Sequence, residues 1–343
     1  MMPMSLLRFF CLLVLVLLMQ ACAPRATVVT LDGESMGSTW SVKYVGTEAS
    51  AASVRTAVEG QLADIDAQMS TWKPQSDLSR YNTAPSGTWR EVPAELFDVM
   101  QAAIALAADT QGAYDPTVGP LVELWGFGPG TPRREPPERA EIDAVRARIG
   151  WQRVDLDVAA RRVFQPGGVH VDLSSIAPGH ALDRIAAVLD AWGIGDYLIE
   201  VGGELRAHGA KPDAQPWNVA IQRPLDSDSA DGSIDAQHVI ALRNAALGSS
   251  GDYRHFFEDG GRRYAHRIDP RSGYPLDNGV ASVTVLRERG IDADPLATAL
   301  SVLGADDGMA YAIRRDIAVL FIVRVGDAFE ERMSPAFQRL LAR

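Results

Sequence analysis

The chain has 343 residues, a formal net charge of −11 at neutral pH and two cysteines, Cys11 and Cys22. That length can bury a sizeable core without disulfides. Because both cysteines precede residue 23, the remainder has no thiol chemistry and no cysteine-ligated zinc. The acidic balance and the lack of a basic cluster in the sequence argue against nucleic acid as a partner.

The N-terminus carries a processing signal. Arg8 is the only charge before position 25, and the apolar run over residues 9–19 is too short for a comfortable transmembrane helix. The tetrapeptide at residues 19–22, MQAC, has the pattern of a lipoprotein cleavage site. We therefore predict a signal over residues 1–21, a lipid on Cys22, a tether to residue 30 and a domain over residues 31–343. A plain signal peptide or an uncleaved anchor is the alternative.

A lipidated Cys22 would tether the protein to the periplasmic side of a bacterial membrane without spanning it. Ala23 follows the cysteine, where an acidic residue would favour retention at the inner membrane. This favours the outer membrane and leaves the choice between the two open.

Hydrophobic periodicity gives the elements in chain order. Alternation predicts a strand over residues 39–45, and apolar spacings of three and four predict two amphipathic helices. Their buried faces are predicted to carry Val54, Val58, Leu62, Ile65 and Met69 in the first and Leu96, Val99, Met100, Ala103 and Ile104 in the second.

Residues 128–140, rich in proline and charge, predict a surface loop. Later strands are predicted over residues 168–171, 197–201, 217–222, 238–242, 280–287 and 317–323. Later helices are predicted over residues 180–192, 295–303, 307–314 and 335–341. Short turns between neighbouring strands favour an α+β fold with largely antiparallel sheets.

Residues 171–183, VDLSSIAPGHALD, form the most informative segment. Asp172 ends a predicted strand, small residues follow, and a helix is predicted to begin near His180. Small residues let a backbone approach a ligand closely, and the amides at a helix start favour an anion. The segment therefore suits a phosphate or nucleotide, although an ordinary strand-to-helix turn has the same composition.

Residues 292–300 suit a hard cation. Asp294 and Thr298 are four residues apart and share one face of a helix, so their oxygens can hold Mg²⁺. A cation at a helix N-terminus opposes the dipole and needs carboxylate charge, which Asp294 and also Asp292 can supply. The local alternative is a simple helix start, with Asp294 as N-cap and Pro295 at the first helical position.

Other segments are ambiguous by themselves. Met36 can cover a flat ligand or sit in an ordinary turn, and Trp72 can stack on a ring or pack as a lid on the core. Asp115 can hold a heterocycle or bond nearby amides, as a turn aspartate does. Residues 247–253 are explained by a plain turn that enters a strand. His266 can carry a proton near neutral pH, or it can be structural.

Taken together and in order, eight segments resemble the ApbE family of flavin transferases over about residues 33–305. The segments are MGST, STWKPQSDLSRYN, GAYDPTVGPLVELWGFG, VDLSSIAPGHALD, YLIEVGGELRAHG, SSGDYRHFF, HRIDPRSGYP and DADPLATALSVLG. The resemblance implies an ApbE-like fold and a periplasmic lipoprotein. It implies that the FMN half of FAD is attached through a phosphoester to a Thr or Ser of a target protein, with release of AMP and a requirement for Mg²⁺.

The resemblance also implies site residues. The Mg²⁺ ligands would be Asp294, Thr298 and Ser175, the last through its backbone carbonyl. His266 and Asp294 are candidate bases, and His266 is favoured because a metal ligand is a poor base. The implied FAD contacts are Met36, Trp72, Ala113, Tyr114, Asp115, Asp172, Pro178 and Ile268.

The implied acceptor is a membrane-associated redox subunit, such as those of sodium-pumping quinone reductases or related electron-transfer complexes. The sequence departs from the family pattern at Pro178, where the family often has Lys, because proline offers neither a charge nor an N–H. It also has Ser174 and Ser175 where glycine is frequent.

Two other functions compete with flavin transfer. One is an Mg²⁺-dependent FAD pyrophosphatase that yields FMN and AMP. The other is a non-catalytic FAD-binding lipoprotein, against which the Asp294 and Thr298 pair argues, since binding alone needs no metal site.

Overall fold

A computed structural model describes residues 27–47, 50–224, 236–252, 256–326 and 328–342. The predicted signal and Cys22 lie outside these residues. The predicted tether is too long at its C-terminal end, because Thr27–Ser35 form the first strand, β1. Val29 and Leu31 alternate into the core there, so residues 27–30 are part of the fold.

An eight-stranded sheet forms the centre of the described structure, in the order β1-β2-β6-β7-β10-β13-β14-β15. Every neighbouring pair in it is antiparallel, which confirms the predicted α+β class. The strands of this sheet after β1 are β2 (Ser38–Gly46), β6 (Tyr197–Val201), β7 (Glu204–His208), β10 (Ala245–Gly251), β13 (Val280–Arg287), β14 (Ala318–Val325) and β15 (Ala328–Met333).

Three smaller sheets surround the large one. The pair β8–β9 covers the second face of the large sheet together with the last helix, around the buried Trp217 and Phe337. The strands of the small sheets are β3 (Thr88–Glu91), β4 (Leu156–Asp157), β5 (Arg162–Gln165), β8 (Trp217–Gln222), β9 (Ala236–Leu242), β11 (Phe256–Asp259) and β12 (Arg262–Ala265).

Among the described helices, only the last one packs on the second face of the large sheet, and the other helices lie on its first face and around the small sheets. The helices are α1 (Ala51–Met69), α2 (Asp77–Asn82), α3 (Ala94–Asp109), α4 (Gly119–Leu124), α5 (Arg139–Arg146), α6 (Ala177–Ala191), α7 (Gly290–Arg314) and α8 (Pro335–Leu341). All five apolar positions predicted for α1 are buried. In α3 the prediction holds except at Ile104, which is half-buried. In the part of the chain that the structure describes, no helix has the length and apolar character needed to span a membrane.

The predicted strand over residues 168–171 is absent. Its alternating valines are buried, but its backbone bonds to side chains and not to a neighbouring strand. The Asn82 amide donates to the Val171 carbonyl at 2.9 Å and accepts from the Val171 N–H at 2.8 Å. Gln165 donates to the Val169 carbonyl at 3.2 Å. The alternating pattern therefore predicted the buried valines correctly. It did not predict a strand correctly, because the Asn82 and Gln165 side chains bond this backbone in place of a neighbouring strand.

Two helix boundaries also differ from the sequence prediction. Helix α6 begins at Ala177, before the predicted start near His180. The helix predicted over residues 295–303 begins earlier, at Gly290, whereas the break predicted before residues 307–314 is present within α7 as a kink at Gly304, with φ +82°. Asp294 therefore lies inside the helix and is not its N-cap.

The plain turn predicted within residues 247–253 is wrong, since Ala245–Gly251 form β10 in the interior of the large sheet. This strand carries small residues because α7 packs directly on it. A Cβ atom added to Gly248 would lie 2.5 Å from the carbonyl carbon of Ala293. The strand was missed because its small residues, AALGSSG, show no alternation of large apolar and polar side chains.

Candidate functional site

The Asp294 carboxylate lies in the first turns of α7, where that helix crosses α6. Asp294 is only 5% exposed, and its Oδ2 accepts a hydrogen bond from the Gly179 N–H at 2.9 Å. Among the described residues, none donates to the other oxygen, Oδ1. Burial raises the pKa of Asp294 from 3.8 to about 7. The second oxygen of this buried residue thus has no protein partner among the described residues.

Glycines allow the backbones around Asp294 to approach this closely. A Cβ atom on Gly179 would lie 2.3 Å from the Gly290 carbonyl oxygen, and one on Gly248 would lie 2.6 Å from the Asp294 nitrogen. The first turn of α7 is therefore held between α6 on one side and β10 on the other. The sequence prediction missed this role of Gly179, Gly248 and Gly290, for which the only signal was glycine within a strand or helix pattern.

Thr298 lies one helical turn after Asp294 and is half-buried. Its hydroxyl makes no hydrogen bond with another residue that the structure describes. Asp292 cannot supply further charge as predicted, because Arg289 donates to both of its oxygens at 2.8 and 2.9 Å. The donors available at the helix are therefore the Asp294 carboxylate and the Thr298 hydroxyl.

The buried phenol of Tyr114 connects three of the predicted segments. Its hydroxyl lies 3.4 Å from Ser175 Oγ. Burial raises the pKa of Tyr114, and the nearby carboxylates of Asp294, Asp172 and Asp115 raise it further. Segments that are far apart in sequence thus come together around one ring.

The Asp115 carboxylate is fully used within its own loop, as the local turn interpretation predicts. Its Oδ1 accepts from the Thr117 N–H at 2.8 Å and hydroxyl at 2.6 Å, and its Oδ2 accepts from the Trp151 N–H at 3.1 Å. Burial raises the pKa of Asp115. Asp172 bonds the Ser174 N–H at 2.8 Å through Oδ1. A ligand contact at Asp115 would therefore use its main chain.

Ser38, which follows the turn that carries Met36, and Pro178 both lie close to Gly202. Met36 and Gly37 form the tight β1–β2 turn with φ of +54° and +73°, and the Met36 side chain packs against the main core. A Cβ atom added to Gly202 would lie 3.8 Å from Ser38 Oγ and 4.0 Å from Pro178 Cβ. Pro178 is the second residue of α6, where the missing N–H costs no hydrogen bond.

Trp72 is 67% exposed just after the end of α1, so it is not a lid on the core. An exposed indole beside Met69 and Ser70 offers a flat face to a ring system. The structure thus excludes the lid on the core, and stacking on a ring system stays a prediction.

His266 and Ile268 lie in a different part of the molecule's core. Ile268 is buried with Leu121 and Trp125, and the half-buried His266 packs edge-on against Phe127 with 6.4 Å between ring centroids. Beside the Asp172 segment, a groove of about 410 Å³ is lined by Asn82, Pro120, Arg148 and His170, among others.

The donor set around Asp294 fits a hard cation. Among the described residues no group of three or more His, Cys, Asp or Glu side chains could hold a metal, and the predicted set needs only one carboxylate. The unpartnered Oδ1 of Asp294 and the unpartnered Thr298 hydroxyl are both oxygen donors, which Mg²⁺ prefers. Ser175 can add a carbonyl from the loop before α6.

Comparison with known proteins gives one consistent result. The sequence profile of the ApbE family matches residues 36–321. The FAD:protein FMN transferase of Haemophilus influenzae is 38% identical over 327 residues, which cover 93% of this chain and 93% of that protein. The FAD:protein FMN transferase of Vibrio cholerae is 39% identical over 330 residues, covering 95% and 97%.

A solved structure agrees with these relatives. The apo form of the flavinyl transferase ApbE from Pseudomonas stutzeri has a TM-score of 0.84 at 38% identity, and the match covers 93% of this chain and 98% of that one. The fold expected from the eight sequence segments is thereby confirmed. The chain belongs to the ApbE family.

Proposed function

We propose that this protein transfers the FMN part of FAD to a Thr or Ser hydroxyl of a target protein and releases AMP. The observation that carries the proposal is the buried Asp294 carboxylate, which has one oxygen without a protein partner beside the Thr298 hydroxyl. Relatives that carry the name FAD:protein FMN transferase, at 38% and 39% identity, support the same activity.

Asp294, Thr298 and the Ser175 carbonyl would hold Mg²⁺, which would neutralise phosphate charge and orient the pyrophosphate. Met36, Pro178 and the main chain at residues 113–115 would position FAD, with Trp72 as a stacking surface. Ile268 and Asp172 would complete the FAD contacts. Phosphoryl transfer depends on such positioning and charge neutralisation more than on covalent help from the protein.

The reaction conserves all atoms of its two substrates. The acceptor oxygen forms a bond to the FMN phosphorus, and the bond from that phosphorus to the bridging oxygen of the pyrophosphate breaks. The bridging oxygen leaves on AMP. The proton of the acceptor hydroxyl passes to a base, for which we propose His266.

One incubation tests this activity against its two alternatives. The purified protein is mixed with FAD, Mg²⁺ and a flavin-domain acceptor, and the products are separated on a denaturing gel and by chromatography. Fluorescent flavin bound to the acceptor, together with AMP, is expected. Free FMN and AMP with an unlabelled acceptor would favour a pyrophosphatase, and unchanged FAD would favour binding alone.

We expect His266→Ala to lower the rate of flavin transfer by about 10²-fold or more, since a positioned base contributes roughly that factor. The half-buried ring packs against Phe127, so His266→Gln serves as a second variant that retains side-chain volume. Single-turnover transfer at saturating FAD and Mg²⁺ is the measurement. An active His266→Ala protein would exclude the imidazole as the base.

We further propose that a lipid on Cys22 holds the protein on the periplasmic side of a membrane, facing a membrane-associated flavoprotein subunit as acceptor. Quinone reductases and related electron-transfer complexes contain subunits of this kind. Cys22→Ala is expected to move the protein from the membrane fraction to the soluble fraction, while transfer to a soluble acceptor domain continues. Retention of the variant in the membrane fraction would contradict the anchor.

A further inference from the structure

The first turn of α7 is held by Asp183, a side chain that the proposed chemistry does not use. Asp183 Oδ1 accepts from the Gly290 N–H at 2.8 Å, and Oδ2 accepts from the Ile291 N–H at 3.0 Å. The Arg206 guanidinium of β7 bonds to the same carboxylate, and both side chains are less than one-fifth exposed. Both its position in the fold and its charge relate the Asp183 carboxylate to Asp294.

The geometric connection runs along one face of α6. Gly179 and Asp183 are four residues apart on that helix and therefore face the same way. Gly179 donates to Asp294 at 2.9 Å, while Asp183 binds the backbone three and four residues before Asp294. Without the Asp183 contacts, the Gly179–Asp294 hydrogen bond would be left to hold the turn on α6, and the turn could move relative to Ser175.

The electrostatic connection comes from the helix itself. The first N–H groups of α7 carry partial positive charge, which opposes a cation close to that end. Asp183 satisfies two of these groups with a carboxylate. Asp292, the acidic residue in the first turn, accepts from the Arg289 side chain and from none of these N–H groups in the described structure. Asp183 is thus the carboxylate that offsets the helix end without being placed to bind the cation.

We propose that Asp183 is a positioning residue for the Asp294 carboxylate and, through it, for Mg²⁺. The identity of the cation rests on the proposed function, whereas the contacts of Asp183 with the first turn of α7 are independent of that function. Asp183 orients the turn that carries Asp294, and it lowers the positive potential that the cation would meet.

The test is Asp183→Asn in the full-length protein. Asparagine keeps one acceptor oxygen, but its NH₂ group cannot accept the second backbone N–H. We expect Mg²⁺ affinity to fall about tenfold or more, which is the typical effect of mutating a residue that orients a metal ligand. Calorimetric titration of the FAD-free protein with Mg²⁺, and the rise of Tm with Mg²⁺, give this affinity. In the transfer assay the half-saturating Mg²⁺ concentration should rise, with kcat at saturating Mg²⁺ largely retained.

Ser334→Ala is the matched control. Ser334 is a buried N-cap of α8 that accepts from Phe337 N–H at 3.2 Å and donates to the Ile317 carbonyl at 2.7 Å. Its loss should lower Tm and leave Mg²⁺ affinity unchanged. If Asp183→Asn lowers Tm but binds Mg²⁺ as tightly as wild type does, Asp183 is only structural and the proposal is wrong.

Arg206→Gln keeps the proposal testable if Asp183→Asn does not fold. Removing that cation while retaining the carboxylate should tighten Mg²⁺ binding, and an unchanged affinity would contradict the charge argument. A wild-type protein that binds Mg²⁺ but transfers no flavin would refute the proposed function and leave the Asp183 result standing. A wild-type protein that binds no Mg²⁺ would refute both.

Discussion

Asp294→Asn is expected to remove most of the flavin transfer activity and, at the same time, to stabilise the metal-free protein at neutral pH. Asparagine can still accept the Gly179 hydrogen bond but supplies no charge for a cation. Mutation of a group that only hydrogen-bonds to a metal ligand typically lowers metal affinity or activity about 10- to 100-fold. Loss of the carboxylate ligand itself should therefore lower activity by about a hundredfold or more. The gain in stability should be roughly 1 to 3 kcal/mol, the range for relieving an unfavourable buried polar group.

The pH dependence of this gain follows from the raised pKa. The folded protein holds the Asp294 proton up to about pH 7, whereas the unfolded chain releases it near pH 3.8. Unfolding therefore becomes more favourable as pH rises between these values, and the effect is constant above the higher one. The advantage of Asp294→Asn should be absent at pH 3, grow to about pH 7 and then level off.

Thermal unfolding between pH 3 and 8, with and without Mg²⁺, measures both effects. Mg²⁺ should raise the Tm of the wild type, because it binds the folded state, and should not raise that of the variant. Asp292→Asn is the control, since this nearby carboxylate pairs with Arg289. Equal Mg²⁺-induced shifts in wild type and Asp294→Asn would show that Asp294 is not a ligand.

Gly248→Ala is expected to remove most of the activity by displacing the same turn from the opposite side. The added Cβ would lie 2.5 Å from Ala293 C and 2.6 Å from Asp294 N, so the backbone of β10 or α7 must move. Such overpacking costs about 1 to 3 kcal/mol of stability. A shift of about 1 Å at reacting groups can lower a rate about a hundredfold, which is the expected loss of transfer activity.

Gly60→Ala provides the matched glycine control. Gly60 lies on the exposed face of α1, and a Cβ atom there meets nothing within 4 Å. We expect this variant to gain about 0.5 to 1 kcal/mol from helix propensity and to keep full activity. Chemical denaturation gives the stability of both variants, and the transfer assay gives their activity. Wild-type activity in a stable Gly248→Ala protein would show that the turn need not be held so closely.

Local sequence patterns determined much of the fold. The apolar spacing of α1 located all five of its buried positions, and the predicted bounds of β6, in which buried and half-buried side chains alternate, match the observed strand. These features depend on which face of one element is buried, which a short stretch of sequence records. The order of eight segments was similarly sufficient to indicate the ApbE family.

Tertiary structure decided which groups in those segments remain available to a ligand. Asp115 and Asp292, both candidates by residue type, are occupied by Thr117, Trp151 and Arg289. Asp294 keeps one oxygen without a protein partner.

The interior strand β10 and the contact of Gly179 with Gly290 likewise had no local signal beyond the glycines themselves. Both depend on backbones more than forty residues apart in sequence that pack without intervening side chains. The sequence alone does not distinguish a glycine in a loop from a glycine at such a close backbone contact. The sequence therefore specified the elements and the chemical groups, while close packing between distant segments decided which groups stay free to act.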